Sequence, residues 1–306
     1  MKNLSVVINT INAQDTIERA LTSVKDLGEI YIIDMYSDDK TVEIAKRFTS
    51  NIFMHERVGY VEPAREFAIS KAQTEWIFVL DADEEVSPGL KSIILQIASG
   101  TYNSGVVDPS HYYIPRKTFI FNQWMYHSGW WPDEKIRLFK QGTVQWPVKI
   151  HADLVTTGNG AHLPLDEVNS IIHYHYNSVY EWVERMNRYS TIQATEKVEE
   201  GYKFSWNDLI RKPLSEFLRR FFVWDGWKDG VVGLGICLMQ AFSEVVVYMK
   251  IRDMEIKKGM QIENNPENFL QSVGEEIDAS EVEVGFYLEK LGLQSQLKRW
   301  IQKVLP

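Results

Sequence analysis

The first hundred residues alternate between short apolar runs and segments whose apolar positions recur at helical spacing. Each apolar run is three to five residues long, as expected of a strand buried on both faces of a sheet. Between the runs, apolar residues stand three and four positions apart, which predicts amphipathic helices. The predicted strands are 4–8, 30–33, 52–54 and 76–80, and the predicted helices are 17–24, 41–48, 63–72 and 88–97. This alternation predicts an α/β fold with a mostly parallel sheet.

The pattern changes after about residue 100. Short strand-like segments separated by Gly, Pro and Asn predict strands at 111–115, 117–121, 136–139, 149–155 and 169–173. A Ser-x-x-Glu capping box at Ser178 begins a long predicted helix that ends near residue 200. Beyond it we expect helices over 213–222 and 229–250, an acidic loop over 261–283 and an amphipathic helix over 282–304. The second half of the chain therefore adds strands first and helices afterwards.

Composition excludes several classes of protein. The formal net charge of -9 disfavours nucleic-acid binding, which favours a basic surface. Cys237 is the single cysteine, so no intrachain disulfide can form, and we expect a cytosolic protein without a secretory signal. Gln240 and Glu244 interrupt the apolar helix, which we predict to be buried or to lie at a membrane surface. The aromatic residues crowd between 112 and 227, where they suit sugar rings as well as ordinary core packing.

The strongest chemical signal is the acidic run that follows the fourth predicted strand. Asp81-Ala82-Asp83-Glu84-Glu85 puts four carboxylates within five residues, and their mutual repulsion calls for a cation. Mg²⁺ and Mn²⁺ prefer oxygen ligands, and residues two apart in an extended segment project to one side, so Asp81 and Asp83 can converge on one ion. Such an ion could bridge a diphosphate. The alternative is a solvated acidic turn before a helix.

Further candidate groups lie at strand ends. Ligands of open α/β sheets bind beyond the carboxyl ends of the strands, where both Asp34 and Asp81 stand. Asp34 and Asp38 suit a nucleobase N–H or ribose hydroxyls, or simply form a turn. Arg65 suits a diphosphate or base, or a surface salt bridge. Three histidines could ligate a metal, hold a phosphate or be hydrogen-bonded core residues: His151, His173 and His175.

A transfer to a hydroxyl acceptor also needs a base that removes the hydroxyl proton. Asp133 and Glu134 follow Trp130-Trp131-Pro132, and water-excluding aromatic neighbours would raise the pKa of a carboxyl group toward that task. The alternative is a salt bridge to Lys135 or Arg137. The residues themselves leave both readings open.

These motifs resemble those of family 2 glycosyltransferases, and within them the bacterial lipopolysaccharide-core β-glycosyltransferases. The likeness lies in 4–10, 31–41, 76–84 and 131–139, and continues to 229–233. The resemblance implies a GT-A fold, with a Rossmann-like mixed sheet and a C-terminal helical extension. The expected catalytic domain is 1–176, with a nucleotide-binding half over 1–100 and an acceptor half over 101–176. A helical extension at a membrane surface is expected over 177–260. An acidic linker and a terminal helix, which lie beyond the likeness, are expected over 261–306.

The resemblance also implies roles for individual residues. Asp133, which precedes the Arg-Leu-Phe strand, would be the catalytic base, with Glu134 as the second candidate. Mg²⁺ or Mn²⁺ would be held by Asp83, with Asp81 near the nucleoside or the ion. His151 is a further candidate ligand from its own chemistry, and the chain departs from the family pattern beside it, where Ala152 stands in place of the usual Glu. The contacts to the nucleotide sugar would come from nine residues: Thr10, Asn12, Asp34, Asp38, Arg65, Asp81, Ala82, Asp83 and Trp131.

The predicted function is therefore that of an inverting, metal-dependent transferase. It would move a hexose from a nucleotide sugar, such as UDP-glucose, to a glycan or lipid-linked acceptor in the cytoplasm, at the inner face of the cell membrane, and could form a homo-oligomer. The alternatives are a protein or modified-nucleobase acceptor, a non-catalytic nucleotide-sugar-binding module, and a dinucleotide-dependent oxidoreductase. The segment 9–13 counts against the last, because it lacks the Gly-x-Gly-x-x-Gly turn.

Overall fold

The computed structural model describes residues 3–57, 62–146, 154–259, 266–290 and 292. The chain divides into two compact units, one of Met1–Tyr126 with Trp130–His175 and one of His127–Gly129 with Tyr176–Pro306. The strands are β1 (Leu4–Thr10), β2 (Glu29–Asp34), β3 (Ile52–Met54), β4 (Trp76–Asp81), β5 (Glu84–Val86), β6 (Pro109–Ile114), β7 (Arg116–Ile120), β8 (Gln123–Trp124), β9 (Lys135–Lys140), β10 (Val144–Gln145), β11 (Val155–Thr156), β12 (Asn159–His162) and β13 (Ile171–Tyr176). The helices are α1 (Ile17–Val24), α2 (Thr41–Ala45), α3 (Glu62–Lys71), α4 (Pro88–Ala98), α5 (Val179–Glu199), α6 (Asp208–Leu218), α7 (Gly230–Lys257) and α8 (Pro266–Lys290).

The first unit is built on a seven-stranded mixed sheet in the order β12-β6-β9-β4-β1-β2-β3. β1 pairs in parallel with β2 and β4, whereas β9 runs antiparallel to β4. Both faces of β1 are buried, because Val6 packs with the cluster that includes α1 and α4 and Val7 packs with residues of α3. The parallel registers join Thr10 to Asp34 and Asn9 to Asp81. The carboxyl ends of β1, β2 and β4 therefore lie side by side, and the predicted α/β layering is confirmed.

A smaller four-stranded sheet in the order β5-β13-β7-β8 also belongs to the first unit. Burial alternates along its strands, as strand geometry requires when one face meets a core. On β13, Ile171 and His173 are buried, whereas Ile172 and Tyr174 are only half-buried. β5 pairs antiparallel with β13, which places Glu84 opposite His173. The small sheet thus has a buried inner face and a half-exposed outer face.

The second unit is helical. The side-chain oxygen of Ser178 accepts a hydrogen bond from the backbone N–H of Glu181 at 3.1 Å, so the predicted cap of α5 is present. α5 and α7 share an apolar cluster that includes Ala194, Val247 and Ile251. In the described part of the chain, one helical segment, Gly226–Lys257, is long and apolar enough to cross a membrane, judged by length and composition alone.

Two expectations for the second half need correction, and two others lie partly outside the described residues. Residues 266–283 are helical rather than a loop, because α8 packs on α6 through the Arg211–Glu276 ion pair and on the turn before α6 through the Trp206–Phe269 ring contact. α6 begins at Asp208, so Pro213 lies inside the helix instead of opening it. The predicted strand at 149–155 and the predicted helix at 282–304 fall partly on residues 147–153, 291 and 293–306, which are not described.

Candidate functional site

The carboxylate of Asp81, at the end of β4, is held between two buried arginines. Arg65 on α3 donates a hydrogen bond to Oδ1 at 2.7 Å, and Arg137 on β9 donates one to Oδ2. Arg137 also donates to Glu84 at 3.0 Å, and Glu84 accepts the backbone N–H of Asp81. Burial raises the pKa of the Asp81 carboxyl, but the charges of Arg137 and Arg65 outweigh it, so the pKa lies well below its usual range. Asp81 is therefore a permanent anion whose charge the protein itself balances.

The same pattern of alternating charge continues to Asp133. Arg116 on β7 donates to Glu84 at 3.2 Å and, through Nε, to Asp133 at 2.9 Å. Lys135 contacts the other oxygen of Asp133 at 2.8 Å. Burial raises the pKa of Asp133, but Arg116 and Lys135 lower it by more, so this carboxyl group is ionised at neutral pH. The expectation that its surroundings raise this pKa is therefore wrong, because the two cations outweigh the effect of burial. One chain of ion pairs thus links six side chains, which we call the charge chain: Arg65, Asp81, Arg137, Glu84, Arg116 and Asp133.

The charge chain changes the interpretation of the crowded acidic run. The sequence suggested that a cation offsets the repulsion among the carboxylates, but for Asp81 and Glu84 the guanidinium groups of Arg65, Arg137 and Arg116 do so. The expected salt bridge from Asp133 to Lys135 is also present, and Arg137 binds Asp81 and Glu84. Electrostatic balance of Asp81 and Glu84 therefore does not by itself require a metal.

Asp83 differs from Asp81 because its neighbour is a histidine. Its Oδ2 lies 3.7 Å from Nε2 of His173 on β13, and the Asp83 side chain is 23% exposed. Two ligand atoms about 2.1 Å from one shared ion lie at most about 4.2 Å apart, so this pair fits one ion. No group of three or more acidic, His or Cys side chains that could hold an ion occurs among the described residues. Mg²⁺ is commonly held by one or two carboxylates together with phosphate oxygens and water, so the carboxylate of Asp83 meets the minimum for such a site.

The predicted nucleoside-binding residues surround the ends of β1 and β2. Asp34 is fully buried, and its two oxygens accept hydrogen bonds from the backbone and hydroxyl of Ser37. Asn12 accepts from the backbone of Asp38 at 3.0 Å, and Asp38 pairs with Arg57 at 3.1 Å. The hydroxyl of Thr10 is buried without a partner among the described residues. These contacts fix the loop beyond β2, and Arg57 is a contributor that sequence reasoning missed.

Glu134 and Trp131 stand on either side of Asp133 in the segment that precedes β9. Glu134 contacts Nδ1 of His162 at 2.7 Å, and that imidazole stacks on Tyr113 with 4.4 Å between ring centroids. The ring of Trp131 meets Trp124 edge to face at 5.7 Å. Of these two carboxylates, Asp133 belongs to the charge chain, whereas Glu134 has a separate partner.

Two further findings concern the predicted residues. Ala82 is buried in the core between the two aspartates, and His151 lies outside the described residues, as does Ala152 beside it.

Arg116 and Arg137 were not predicted as part of the site. Arg137 carried a usable signal, since a charged residue inside the apolar strand 136–139 implies a buried partner of opposite charge.

Comparison with known proteins identifies the family. Residues 5–154 match the family model described as glycosyl transferase family 2. Residues 5–154 are a family 2 glycosyltransferase domain. The match covers β1 to β10 and so contains Asp34, Arg65, Asp81, Asp83 and Asp133. Together with the mixed sheet and the C-terminal helices, it identifies a GT-A fold and a glycosyltransferase enzyme, as the sequence predicted.

Similar proteins include glycosyltransferases of bacteria. An uncharacterized glycosyltransferase of Rickettsia typhi is 28% identical over 84% of this chain and 89% of its own length. The lipopolysaccharide core biosynthesis glycosyltransferase LpsC of Rhizobium meliloti is 24% identical over 75% of this chain and 84% of its own. Among solved structures, S. aureus TarS 1-349 in complex with UDP-GlcNAc covers 87% of this chain and 94% of its own, with 14% identity and a TM-score of 0.42.

Replacement of Asp81 by Asn should destabilise this glycosyltransferase by about 3 kcal/mol at pH 7, because Arg65 and Arg137 would lose their shared anion inside the protein. The stability that a carboxyl with a lowered pKa contributes is present above its unfolded pKa of about 3.9 and is lost as the pH falls through its folded pKa. The gap between wild type and Asp81→Asn should therefore narrow below about pH 4. Urea unfolding followed by circular dichroism measures both effects.

The matched control is Asp108→Asn, since Asp108 pairs with Lys140 but is 82% exposed. The free energy of unfolding of this variant should stay within about 0.5 kcal/mol of the wild-type value at every pH. Two outcomes would contradict the role given to the Asp81 charge. One is an equal loss of unfolding free energy in the two variants, and the other is a stability difference between wild type and Asp81→Asn that grows as the pH falls.

Proposed function

We propose that this glycosyltransferase moves a hexose from a nucleoside-diphosphate donor, such as UDP-glucose, to a glycan hydroxyl with inversion at the anomeric carbon. The observation that carries the proposal is the placement of Asp83 beside His173, at the same sheet edge as a charge chain that ends at Asp133. One group of residues can hold the leaving diphosphate and another can activate the acceptor. The likeness to a lipopolysaccharide core biosynthesis enzyme favours a lipid-linked glycan as acceptor.

For the donor side, we assign Asp83 and His173 as protein ligands of Mg²⁺ or Mn²⁺. When bound, such an ion would offset the negative charge that develops on the departing diphosphate. Asp81 instead keeps Arg65 and Arg137 in place. Each of these guanidinium groups retains Nε and Nη1 donors without a partner among the described residues, which suits them to an anionic ligand after a small side-chain movement.

For the acceptor side, we assign Asp133 as the base. Its lowered pKa keeps it ionised at neutral pH, and Arg116 and Lys135 hold both oxygens in position. As the acceptor oxygen attacks the anomeric carbon, the hydroxyl proton passes to Asp133. The bond from that carbon to the phosphate oxygen breaks, and the nucleoside diphosphate leaves with the electron pair. A single displacement of this kind inverts the anomeric configuration.

Donor hydrolysis tests the metal assignment without knowledge of the acceptor. Slow release of UDP from UDP-glucose, UDP-galactose or UDP-GlcNAc should require Mn²⁺ or Mg²⁺ and stop after chelation. Asp83→Asn should lower this rate by about a hundredfold or more, since ion and diphosphate would lose a charged ligand. The control Asp253→Asn, at an exposed pair with Lys257, should match wild type. Metal-independent release, or full activity in Asp83→Asn, would overturn the assignment.

The two candidate bases can be separated with water as the acceptor. Asp133→Asn should reduce UDP release about 10²–10⁴-fold, the usual contribution of a positioned base. Glu134→Gln should reduce it less than about threefold, because Glu134 is bound to the exposed His162 and lies outside the charge chain. Calorimetric UDP binding should survive both changes. The opposite ranking of the two variants would make Glu134 the base.

We also propose that the second unit rests on an anionic membrane surface. Trp227, just before α7, is 44% exposed. Within α7, Val231 is 89% exposed, and Leu238, two turns further along, is 52% exposed. The exposed cations Arg219 and Lys228 lie close by in sequence. Exposed Trp and apolar side chains with neighbouring basic groups are typical of a segment that lies in the lipid interface.

Vesicle flotation tests the membrane proposal. The protein should float with phosphatidylglycerol vesicles more than with phosphatidylcholine vesicles, and salt should weaken the binding. The double variant Trp227→Ser/Val231→Ser should reduce the bound fraction about tenfold or more, because two apolar groups no longer enter the interface. The double variant Val179→Ser/Tyr180→Ser alters equally exposed residues of α5 and should bind as wild type does. Equal loss in both would indicate a general change of solubility.

A further inference from the structure

The outer face of the small sheet carries a row of aromatic rings that the transfer chemistry does not use. Tyr174 on β13 stacks on Phe119 of β7, with 5.6 Å between ring centroids and 20° between planes. Phe119 is paired across the strands with Trp124 of β8. Trp124 then meets Tyr126 edge to face at 5.1 Å and Trp131 at 5.7 Å. These five residues, which we call the aromatic row, run from the middle of the small sheet to the segment that contains Asp133.

Charged side chains fix the rings of the aromatic row in place. The guanidinium of Arg19 lies 3.6 Å from the centre of the Tyr174 ring, and the hydroxyl of Tyr174 donates to Glu85 at 3.3 Å. The ammonium group of Lys117 lies 4.0 Å from the centre of a Trp124 ring. Such cation–π contacts restrain the orientation of the rings. The row is therefore preorganised in the absence of a ligand.

The exposure of the aromatic row is greater than core packing requires. Tyr126 is 48% exposed, and Phe119, Trp124, Trp131 and Tyr174 are each half-buried. On the same strands, the residues that alternate with them are buried, such as Thr118 and His173. A sheet face that only stabilised the fold would bury these large rings more fully, since burial of an aromatic side chain stabilises by about 1.5–3 kcal/mol.

An open cavity of about 680 Å³ lies at the Tyr174 end of the row. It shares Arg19 and Glu85 with the surroundings of Tyr174, and Glu18 and Lys91 also line it. Its charged donors and acceptors suit a ligand that carries many hydroxyl groups. A polar cavity and a line of ring faces thus adjoin each other on one surface.

We propose that the aromatic row and this cavity bind an extended oligosaccharide, the part of the acceptor that precedes the reacting sugar. The proposal rests on the proposed transferase function. Sugar rings combine apolar C–H faces, which cover aromatic rings, with hydroxyl groups that the charged side chains can bond. The row ends at Trp131, two residues before Asp133, so a glycan that follows the row reaches the segment that carries the candidate base. Single-stranded nucleic acid also stacks on aromatic rings, but the net charge of -9 opposes a polyanion.

Fluorine NMR of the full chain labelled with fluorotryptophan tests the proposal directly. The probes are cellohexaose and the lipid-free core oligosaccharide released from lipopolysaccharide by mild acid, with glucose as a one-ring reference. Each signal is assigned by its loss in Trp124→Leu, Trp131→Leu or Trp76→Phe. At least one oligosaccharide should shift the Trp124 and Trp131 signals at concentrations about tenfold below those that glucose needs. Trp76 in the core should not respond, since it is 6% exposed.

Substitution then tests the contribution of a single ring. Phe119→Leu keeps an apolar side chain but removes the ring face, and should weaken oligosaccharide binding about tenfold. Tyr180→Leu, at a residue of α5 that is 71% exposed, is the control and should bind as wild type does. Thermal unfolding checks that the Phe119→Leu variant is folded. If that variant does not fold, the fluorine spectra of the wild type alone decide whether the aromatic row binds oligosaccharide.

The outcomes separate this proposal from the transferase itself. Absence of Trp124 and Trp131 shifts with every saccharide, or shifts with a decathymidine oligonucleotide alone, would overturn the oligosaccharide site. Those results would leave UDP release from the donor untouched. Conversely, saccharide shifts in a protein that never releases UDP would contradict the transferase function and leave the binding site standing.

Discussion

The charge chain from Arg65 to Asp133 is the interaction on which the rest of the candidate site depends. It connects α3, β4, β5, β7, β9 and the segment before β9, so residues distant in sequence must meet correctly for any charge to be satisfied. Buried ion pairs contribute little net stability, but a buried charge that has lost its partner is strongly unfavourable. The charge chain therefore mainly selects the correct arrangement of these segments, because any other arrangement would leave arginines or carboxylates without partners in the interior.

The architecture of the sheets explains why this geometry serves a transferase. Parallel pairing of β1 with β2 and β4 brings Asp34 and Asp81 to one edge. Two antiparallel strands place further residues in the same region. Arg137 lies on β9, in the second half of the family 2 domain, and His173 lies on β13, after that domain. Candidate groups for donor binding come largely from the first hundred residues, whereas the candidate base comes from the later segment. The fold joins the two halves through ion pairs.

The sequence predicts those features of the fold and the site that depend on residues close together in the chain, and it misses those that depend on distant partners. The first four strands follow from continuous apolar runs, and the cap of α5 follows from Ser178 and Glu181 alone. Asp81, Asp83 and Asp133 were found as candidates because of their positions next to strands. The counter-charge from Arg137 was not found, since it lies 56 residues from Asp81. α8 was missed for the same reason: its partner Arg211 is 65 residues away from Glu276.

The alternation of faces in the small sheet has a consequence for how this enzyme can diversify. Along β7 and β13, neighbouring positions serve opposite surfaces, with Arg116 and His173 beside the charged groups and Lys117 and Tyr174 on the outside. Point mutations on the outer positions can accumulate without displacing their inward neighbours. Descendants of one ancestor could thus come to prefer different glycans while retaining the same reaction, whereas a one-residue insertion in either strand would exchange the two surfaces and abolish both.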